Sequence, residues 1–331
     1  MNKNDLPIIS DSALIKKLQD VAVKYFSNST DMGLSVGIVK NGEVLFLIYG
    51  LTEKDGREIT EHTLFQICSI TKTFTGTILA DLANQGLLSL DDPLNKYFDF
   101  PIAKFNDTEI RLVNLATHTS GLRDEYLGGD TKKLLKYLKS TKPVTEPGKV
   151  FEYSNIGMAV LGYIIEKITG KSYEQVVREN ICDKIGMKNT VINLAEEQKK
   201  MCATPHLIEG NVTEVMTLGA MAAAGALISS THDMVKYIAA NLKQTGDQQL
   251  QEAVDTAQKI YWESGNSADL KRCLGWWWVD DTHEHGGGLP GYKSWLKLSR
   301  NFDTGVIILC NTGYNGGVLA GLASELLNIV K

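Results

Sequence analysis

Strand-like periodicity is confined to the two ends of this 331-residue chain, with helical periodicity between them, and that arrangement leaves few folds open. Near the start, GLSVGIVKNGEVLFLIYG (33–50) reads as two strands joined by Asn41-Gly42, a pair that accepts the positive φ angles of a tight hairpin. An amphipathic helix over 12–26 precedes it. Near the end, CLGWWWVD, YKSWLKLS and TGVIILCN read as strands, and GGVLAGLASELLNIV as an apolar closing helix. From Ser69 to about residue 240 the helical period dominates. ITKTFTGTILADLANQG ends at Gly86, NIGMAVLGYIIEKITG ends at Gly170, and SSTHDMVKYIAANL follows a run of small residues. TKPVTEPGK (141–149) and GDQQLQEAVDTAQ (246–258) carry loop signals.

The expected fold is therefore α+β: one antiparallel sheet built from both chain ends, flanked by helices, with a mostly helical subdomain inserted. The expected division is a single domain over 1–330, with the sheet drawn from 1–66 and 271–331 and the helical part from about 67–270. A cleft between the two parts is the default site.

Composition narrows the ligand. A net charge of −5 with no Lys/Arg run argues against nucleic acid or an anionic membrane surface, because both demand clustered positive charge. A small-molecule substrate fits better, and no obligatory protein partner is evident. Five cysteines stand without CxxC spacing, which reads as free thiols. The opening MNKNDLPIISDSALIKKL lacks the apolar core and cleavage site of a secretory signal. The expectation is a cytoplasmic chain as written, with export the alternative if a leader has been removed.

Two Ser-x-x-Lys patterns occur, where ordinary usage gives roughly one by chance. Ser294-Trp-Leu-Lys297 lies in an alternating strand, where residues three apart point to opposite faces. Ser69-Ile-Thr-Lys72 instead opens a helix, where positions i and i+3 share a face and the amine reaches the hydroxyl. The helix start also brings free N–H groups, and burial favours a neutral, proton-accepting lysine. A capping serine with a solvated first-turn lysine is the structural alternative. Gly33-Leu-Ser35-Val-Gly37 matches the G-x-S-x-G elbow, but its serine sits in mid-strand rather than at a strand-to-helix turn.

Tyr153-Ser154-Asn155 precedes a helix and reads either as a cap or as a phenol and an amide offered to a site. In the first case Ser154 or Asn155 satisfies the helix start; in the second Tyr153 shuttles a proton, its pKa lowered by adjacent lysine charge. His285-Gly286-Gly287-Gly288 leaves strand backbone bare for close approach by a ligand. His283 and His285 share a strand face, but no third ligand has suitable spacing, so a metal site is not expected there.

Taken in order, Ser69-x-x-Lys72, Tyr153-x-Asn155 and His285-Gly286-Gly287 resemble the Ser-x-x-Lys, Tyr-x-Asn and Lys/His-x-Gly triplet of class C β-lactamases. The same order marks the related D,D-carboxypeptidases, D-aminopeptidases and family VIII esterases. LATHTSGL (115–122), GLLSLDDPLNKYF (86–98), the stretch 147–177 and AAAGALISSTHDMVKYIAANL (222–242) also resemble that family's connecting segments.

The resemblance implies a β-lactamase/transpeptidase-like fold and a serine acyl hydrolase acting through a Ser69 acyl-enzyme, with no metal or organic cofactor. It implies that Lys72 and Tyr153 share general-base duty and that Asn155 binds an acyl-side amide. It further implies that Gly287 and Gly288 border an oxyanion hole formed by the N–H groups of Ser69 and Gly288. His285 stands where efficient class C β-lactamases carry lysine, so a permanent cation becomes a group only partly charged near pH 7. Gly286 removes a hydroxyl that often follows. Both departures weaken the grip on a carboxylate and leave amide, ester, β-lactam and short D-peptide substrates open.

A D-aminopeptidase or D,D-carboxypeptidase, an esterase or acyltransferase, and a penicillin-binding sensor without turnover are the alternatives. The intact Ser69, Lys72 and Tyr153 argue against a relic. Glu166 in YIIEKITG is expected to face solvent and is not equated with the deacylating glutamate of class A enzymes. Of Trp276, Trp277 and Trp278, alternate members are expected to face the core.

Overall fold

In the computed structural model, residues 6–26, 33–125, 128–265, 270–312 and 316–331 are described. Residues 1–5 of the opening segment, read above as lacking the features of a secretory signal, lie outside these ranges. The expected hairpin forms from β1 (Leu34–Lys40) and β2 (Glu43–Tyr49), with Asn41 and Gly42 both at positive φ. Two short strands follow in sequence, β3 (Phe65–Gln66) and β4 (Ile228–Ser229), which form a separate two-stranded sheet. Then come β5 (Trp262–Glu263), β6 (Lys271–Arg272), β7 (Trp277–Val279), β8 (Thr282–Leu289), β9 (Tyr292–Ser299) and β10 (Thr304–Cys310).

The main sheet is eight-stranded and antiparallel, in the order β2-β1-β10-β9-β8-β7-β6-β5. Both chain ends thus build one sheet, joined where β1 pairs with β10 from Leu34↔Cys310 to Lys40↔Thr304. The far edge recruits Trp262–Glu263 as well, upstream of the expected start at 271. The tryptophan run contributes only Trp277–Val279 to a strand, because Gly275 turns the chain with φ +72°.

Alternation along the strands gives the sheet two apolar faces. On the outer one, Val36, Ile38, Val306 and Ile308 pack against the helices Ser12–Phe26 and Gly316–Val330. The inner face, with Leu296, Leu298, Ile307 and Leu309, belongs to the larger core shared with the inserted helices. Ser35 lies on this side, fully buried and hydrogen-bonded to Thr231 at 2.7 Å, as its mid-strand position implied.

At the centre of the larger core is the Thr71–Asn84 helix, buried continuously from Thr71 to Leu82. Its polar side chains are satisfied locally: Thr73 donates to the Ile70 carbonyl, Thr75 bonds Tyr173 at 2.7 Å, and Asp81 accepts from Asn180 and Gln249. The segment 246–258, read above as a loop, contains a helix over Gln248–Ala257. Asp247 caps it by accepting from Leu250 N–H, and Leu250, Ala253, Val254 and Ala257 form a buried stripe at spacing i, i+3, i+4, i+7. Its run of Gln, Glu and Asp hid that stripe. Among the described residues no helix is long and apolar enough to cross a membrane.

Two glycines let the sheet's approach segment lie directly on the central helix. A Cβ on Gly76 would stand 1.8 Å from the Leu274 carbonyl oxygen, and one on Gly275 would stand 2.1 Å from that of Lys72. Neither obstacle is a side chain that can rotate away. Replacing Gly76 by Ala is therefore expected to cost about 3 kcal/mol or more. A lowered urea midpoint with unchanged slope checks this, and wild-type stability would show that the backbones are not in contact there.

Candidate active site

Ser69 sits in the single 3-10 turn Cys68–Ile70 that feeds the Thr71–Asn84 helix. The residue before it, Cys68, takes φ +53°, a left-handed conformation that costs an L-residue on the order of 1 kcal/mol. That sharp turn is held from the sheet side. Ser294 donates to the Ile67 carbonyl at 2.8 Å, and a Cβ on Gly287 would stand 2.6 Å from the same oxygen and 2.9 Å from Cys68 Cβ. Strand β8 therefore lies flush on the turn only because residue 287 is glycine.

One helical turn on, Lys72 is completely buried. Its Nζ reaches Ser69 Oγ at 3.1 Å, Asn155 Oδ1 at 2.9 Å and the Ala224 carbonyl at 2.5 Å. Tyr153 donates its hydroxyl to Ser69 Oγ at 2.9 Å, and Lys72 Nζ stands 4.9 Å from the centre of its ring. Local chain chemistry places these groups. Ser154 caps the Asn155–Thr169 helix by accepting from Gly157 N–H, so Tyr153 falls just before the helix and Asn155 on its first turn. The sequence-predicted Lys72 and Tyr153 thus converge on the Ser69 hydroxyl, and Asn155 is held against Lys72.

Asn155 differs from its expected role. Its oxygen faces Lys72, and its NH2 donates to Asp124 at 2.9 Å, so both ends of the amide are engaged within the protein. Asp124 was not identified from the sequence. It sits two residues beyond LATHTSGL, between Arg123 and Glu125 in a loop where charged residues read as an ordinary solvated surface.

Strand β8 brings the third element. Leu289 and Tyr292 flank the two-residue turn Pro290-Gly291, so bonded pairs recur at Gly287↔Ser294 and His285↔Leu296. The intervening Gly286 and Gly288 then direct their N–H groups away from β9. The ladder with β7 stops at Trp277↔Glu284, and these N–H groups face an uncovered edge beside the Ser69 turn. His285 is fully buried, stacked on Trp277 at 4.5 Å with its ring 6.3 Å from that of Tyr153. Its Nδ1 lies 2.7 Å from the Gly286 carbonyl and must donate, which leaves Nε2 as a lone-pair acceptor without a partner among the described residues.

His118 approaches Tyr153 from the other side at 4.6 Å; its Nδ1 accepts from Ser154 N–H, so Nε2 carries the proton. Trp278 packs against His283, and Trp276, which precedes the strand, packs against Tyr237 in the core.

Burial sets the charge state of the site. It pulls the Lys72 ammonium down to about 7, against the attraction of Asp124. It drives His285 down to about 3, helped by Lys72, and His118 well below its usual range. His285 is therefore neutral near pH 7, not partly charged. Tyr153 is also corrected: desolvation raises its phenol well above the ordinary value, and the hydrogen bond with Ser69 offsets this only in part. The expected lowering by lysine charge does not occur, because Lys72 itself is held near neutrality.

The remaining expectations lie elsewhere. Lys297 pairs with Glu284 at 2.8 Å on the face opposite Ser294. Glu166 is exposed, as expected, and accepts from Tyr173 N–H. His283 faces the Gln258 carbonyl at 3.0 Å, and no metal-binding cluster occurs among the described residues. The five cysteines are free thiols.

A fold with one sheet from both chain ends, and a buried Ser-x-x-Lys pair completed by Tyr-x-Asn, defines a serine hydrolase of the β-lactamase type. The Beta-lactamase family model matches residues 23–329, and the chain belongs to that family. The beta-lactamase of Escherichia coli K12 is 28% identical over 344 residues, covering 90% of this chain and 89% of that one. The beta-lactamase of Pseudomonas fluorescens is 29% identical over 269 residues, covering 79% and 74%. The D-alanyl-D-alanine-carboxypeptidase/endopeptidase AmpH of E. coli K12 is 30% identical over 227 residues, covering 64% and 58%.

Two solved structures share the fold. A class C beta-lactamase superposes with TM-score 0.88 at 23% identity, covering 97% of each chain. The beta-lactamase/D-alanine carboxypeptidase of Pseudomonas syringae gives 0.86 at 23% identity, covering 96% of this chain and 99% of that one.

Neutral burial of His285 has a consequence for stability. The unfolded chain takes up a proton near pH 6.5, whereas the folded chain resists it down to about 3. Stability is therefore lost as pH falls below 6.5, by about 2 kcal/mol at pH 5 for this residue alone. His285→Gln removes that dependence. Urea unfolding of both proteins at pH 7 and 5 is expected to show the smaller acid loss in the variant, and equal losses would contradict a buried neutral imidazole.

Proposed function

We propose that this β-lactamase-family hydrolase acylates Ser69 with neutral amides, esters or short D-peptides in preference to carboxylate-bearing β-lactams. The observation that carries the nucleophile is the double engagement of Ser69 Oγ, at 3.1 Å from Lys72 Nζ and 2.9 Å from Tyr153 OH. A serine hydroxyl needs an adjacent base, and a lysine that titrates near 7 is about half neutral at physiological pH. Lys72 takes the Ser69 proton as Oγ bonds to the substrate carbonyl carbon. The developing oxyanion lies between the N–H groups of Ser69 and Gly288. As the bond to the leaving group breaks, Tyr153 passes it a proton and is reprotonated through Lys72. Water repeats the sequence in reverse to release the acid.

Tyr153 serves as a relay, since a phenol raised by burial is a poor resident phenolate. Asn155 acts through Lys72 in the free enzyme, and substrate contact by its amide requires exchange with Asp124. His285 supports the substrate preference. A neutral ring that offers only a lone pair gives no attraction to a carboxylate, and no metal or organic cofactor is invoked.

Three outcomes test the reading. Ser69→Ala is expected to abolish covalent labelling by a fluorophosphonate, followed by intact mass, while Ser35→Ala labels like the wild type; labelling that survives in Ser69→Ala would remove the nucleophile. The kcat/KM for p-nitrophenyl acetate is expected to rise with pH through an apparent pKa near 7, because protonated Lys72 cannot accept. A flat profile from pH 5 to 9 would contradict Lys72 as the base. The ester or D-Ala-p-nitroanilide is expected to exceed nitrocefin in kcat/KM by about tenfold or more, and the reverse order would restore the antibiotic reading.

A further inference from the structure

We propose that Asp124 is a positioning residue for the proton acceptor: it orients the Asn155 amide toward Lys72 and is the anion that faces the lysine. The inference rests on the reading of Ser69 and Lys72 above and adds a residue to it.

The geometry is a relay of hydrogen bonds. Asp124 Oδ1 accepts from the backbone N–H of Asn155 at 2.6 Å and of Ile156 at 3.0 Å, while Oδ2 accepts from Asn155 Nδ2 at 2.9 Å. These bonds satisfy two orphan N–H groups of the Asn155–Thr169 helix, and the third fixes which end of the side-chain amide points outward. A carboxylate can only accept, so it holds the NH2 end. The carbonyl end is thereby committed to Lys72 Nζ, 2.9 Å away. Without that constraint the amide can flip and place an NH2 group against the amine, a contact between donors.

Capping alone does not explain the third bond. Ser154 already caps this helix through Gly157 N–H, so the Nδ2 contact contributes to the direction of Asn155 rather than to the helix start.

Charge follows from the same placement. The groups facing Lys72 are Ser69 and Cys68 on its own turn, Tyr153 and Asn155 at the neighbouring helix start, His118 in its loop, His285 on β8, and Asp124. Cys68 is pushed up to about 12, Tyr153 is raised, and both imidazoles are neutral near pH 7. Asp124 is thus the charged neighbour within this set, and it attracts the Lys72 ammonium. Removing its charge moves the lysine toward the neutral amine at lower pH.

The test follows the rate of Ser69 modification by a fluorophosphonate from pH 5 to 9 in the wild type, Asp124→Asn, Asp124→Ser and Asp124→Glu. Wild-type labelling that vanishes in Ser69→Ala establishes the nucleophile independently of Asp124. Asp124→Asn is expected to slow labelling roughly tenfold, by loosening Asn155 and Lys72. Its acidic limb is expected to move down by about half a pH unit or more. Asp124→Ser keeps an acceptor without charge and gives the same direction should the Asn variant fail to fold. Asp124→Glu restores the limb toward the wild type. A lowered melting temperature with the wild-type limb in both uncharged variants would reduce Asp124 to a helix cap and overturn the proposal, as would an upward shift.

Discussion

Everything distinctive about this site depends on holding one lysine nitrogen out of water. A buried ammonium is costly, and the fold surrounds Lys72 with a hydroxyl, an amide oxygen and a backbone carbonyl from three separate segments. Those segments must approach closely. Glycine at 76 and 275 lets the strand segment rest on the central helix, and glycine at 287 lets β8 rest on the serine turn. Burial then lowers the lysine toward neutrality, which turns an ordinary cation into a base placed against Ser69. Packing, charge state and chemistry are consequences of the same exclusion of water.

The neutrality extends beyond the lysine. Two imidazoles and a phenol surround it, each held uncharged near pH 7 by the same burial. Around Lys72 the field is that of oriented dipoles and the carboxylate of Asp124, while the cationic side chains of Arg272 and Lys293 act on the two imidazoles and on Cys68 respectively. Such a cleft has no fixed cation at the position of His285 with which to hold an anionic substrate. On the proposed reading it suits acyl groups whose recognition depends on shape and hydrogen bonding, with the oxyanion stabilised by backbone N–H groups.

Legibility in the sequence followed the range of the interactions. Ser69 and Lys72 were readable because i and i+3 share a helix face, and Tyr153 because a cap fixes the residue before a helix. The sheet from both ends followed from period-two alternation and an Asn-Gly turn. The Gln248–Ala257 helix was missed because its apolar stripe is diluted by Gln, Glu and Asp. Asp124, His118 and the commitment of Asn155 to Lys72 were missed because each depends on contacts between segments distant in the chain. The charge states of Tyr153 and His285 were misjudged for the same reason: a pattern supplies neighbours, whereas burial is a property of the assembled core.

The most direct test of the central claim is the titration of Lys72 itself. The protein is labelled with lysine carrying 13C at Cε, the Lys72 resonance is assigned by its absence in Lys72→Arg, and its shift is followed from pH 5 to 11. A midpoint near 7 is the expected result. Titration near the ordinary 10.5 would mean that the ammonium persists at physiological pH, and Lys72 could not serve as the resting base of Ser69.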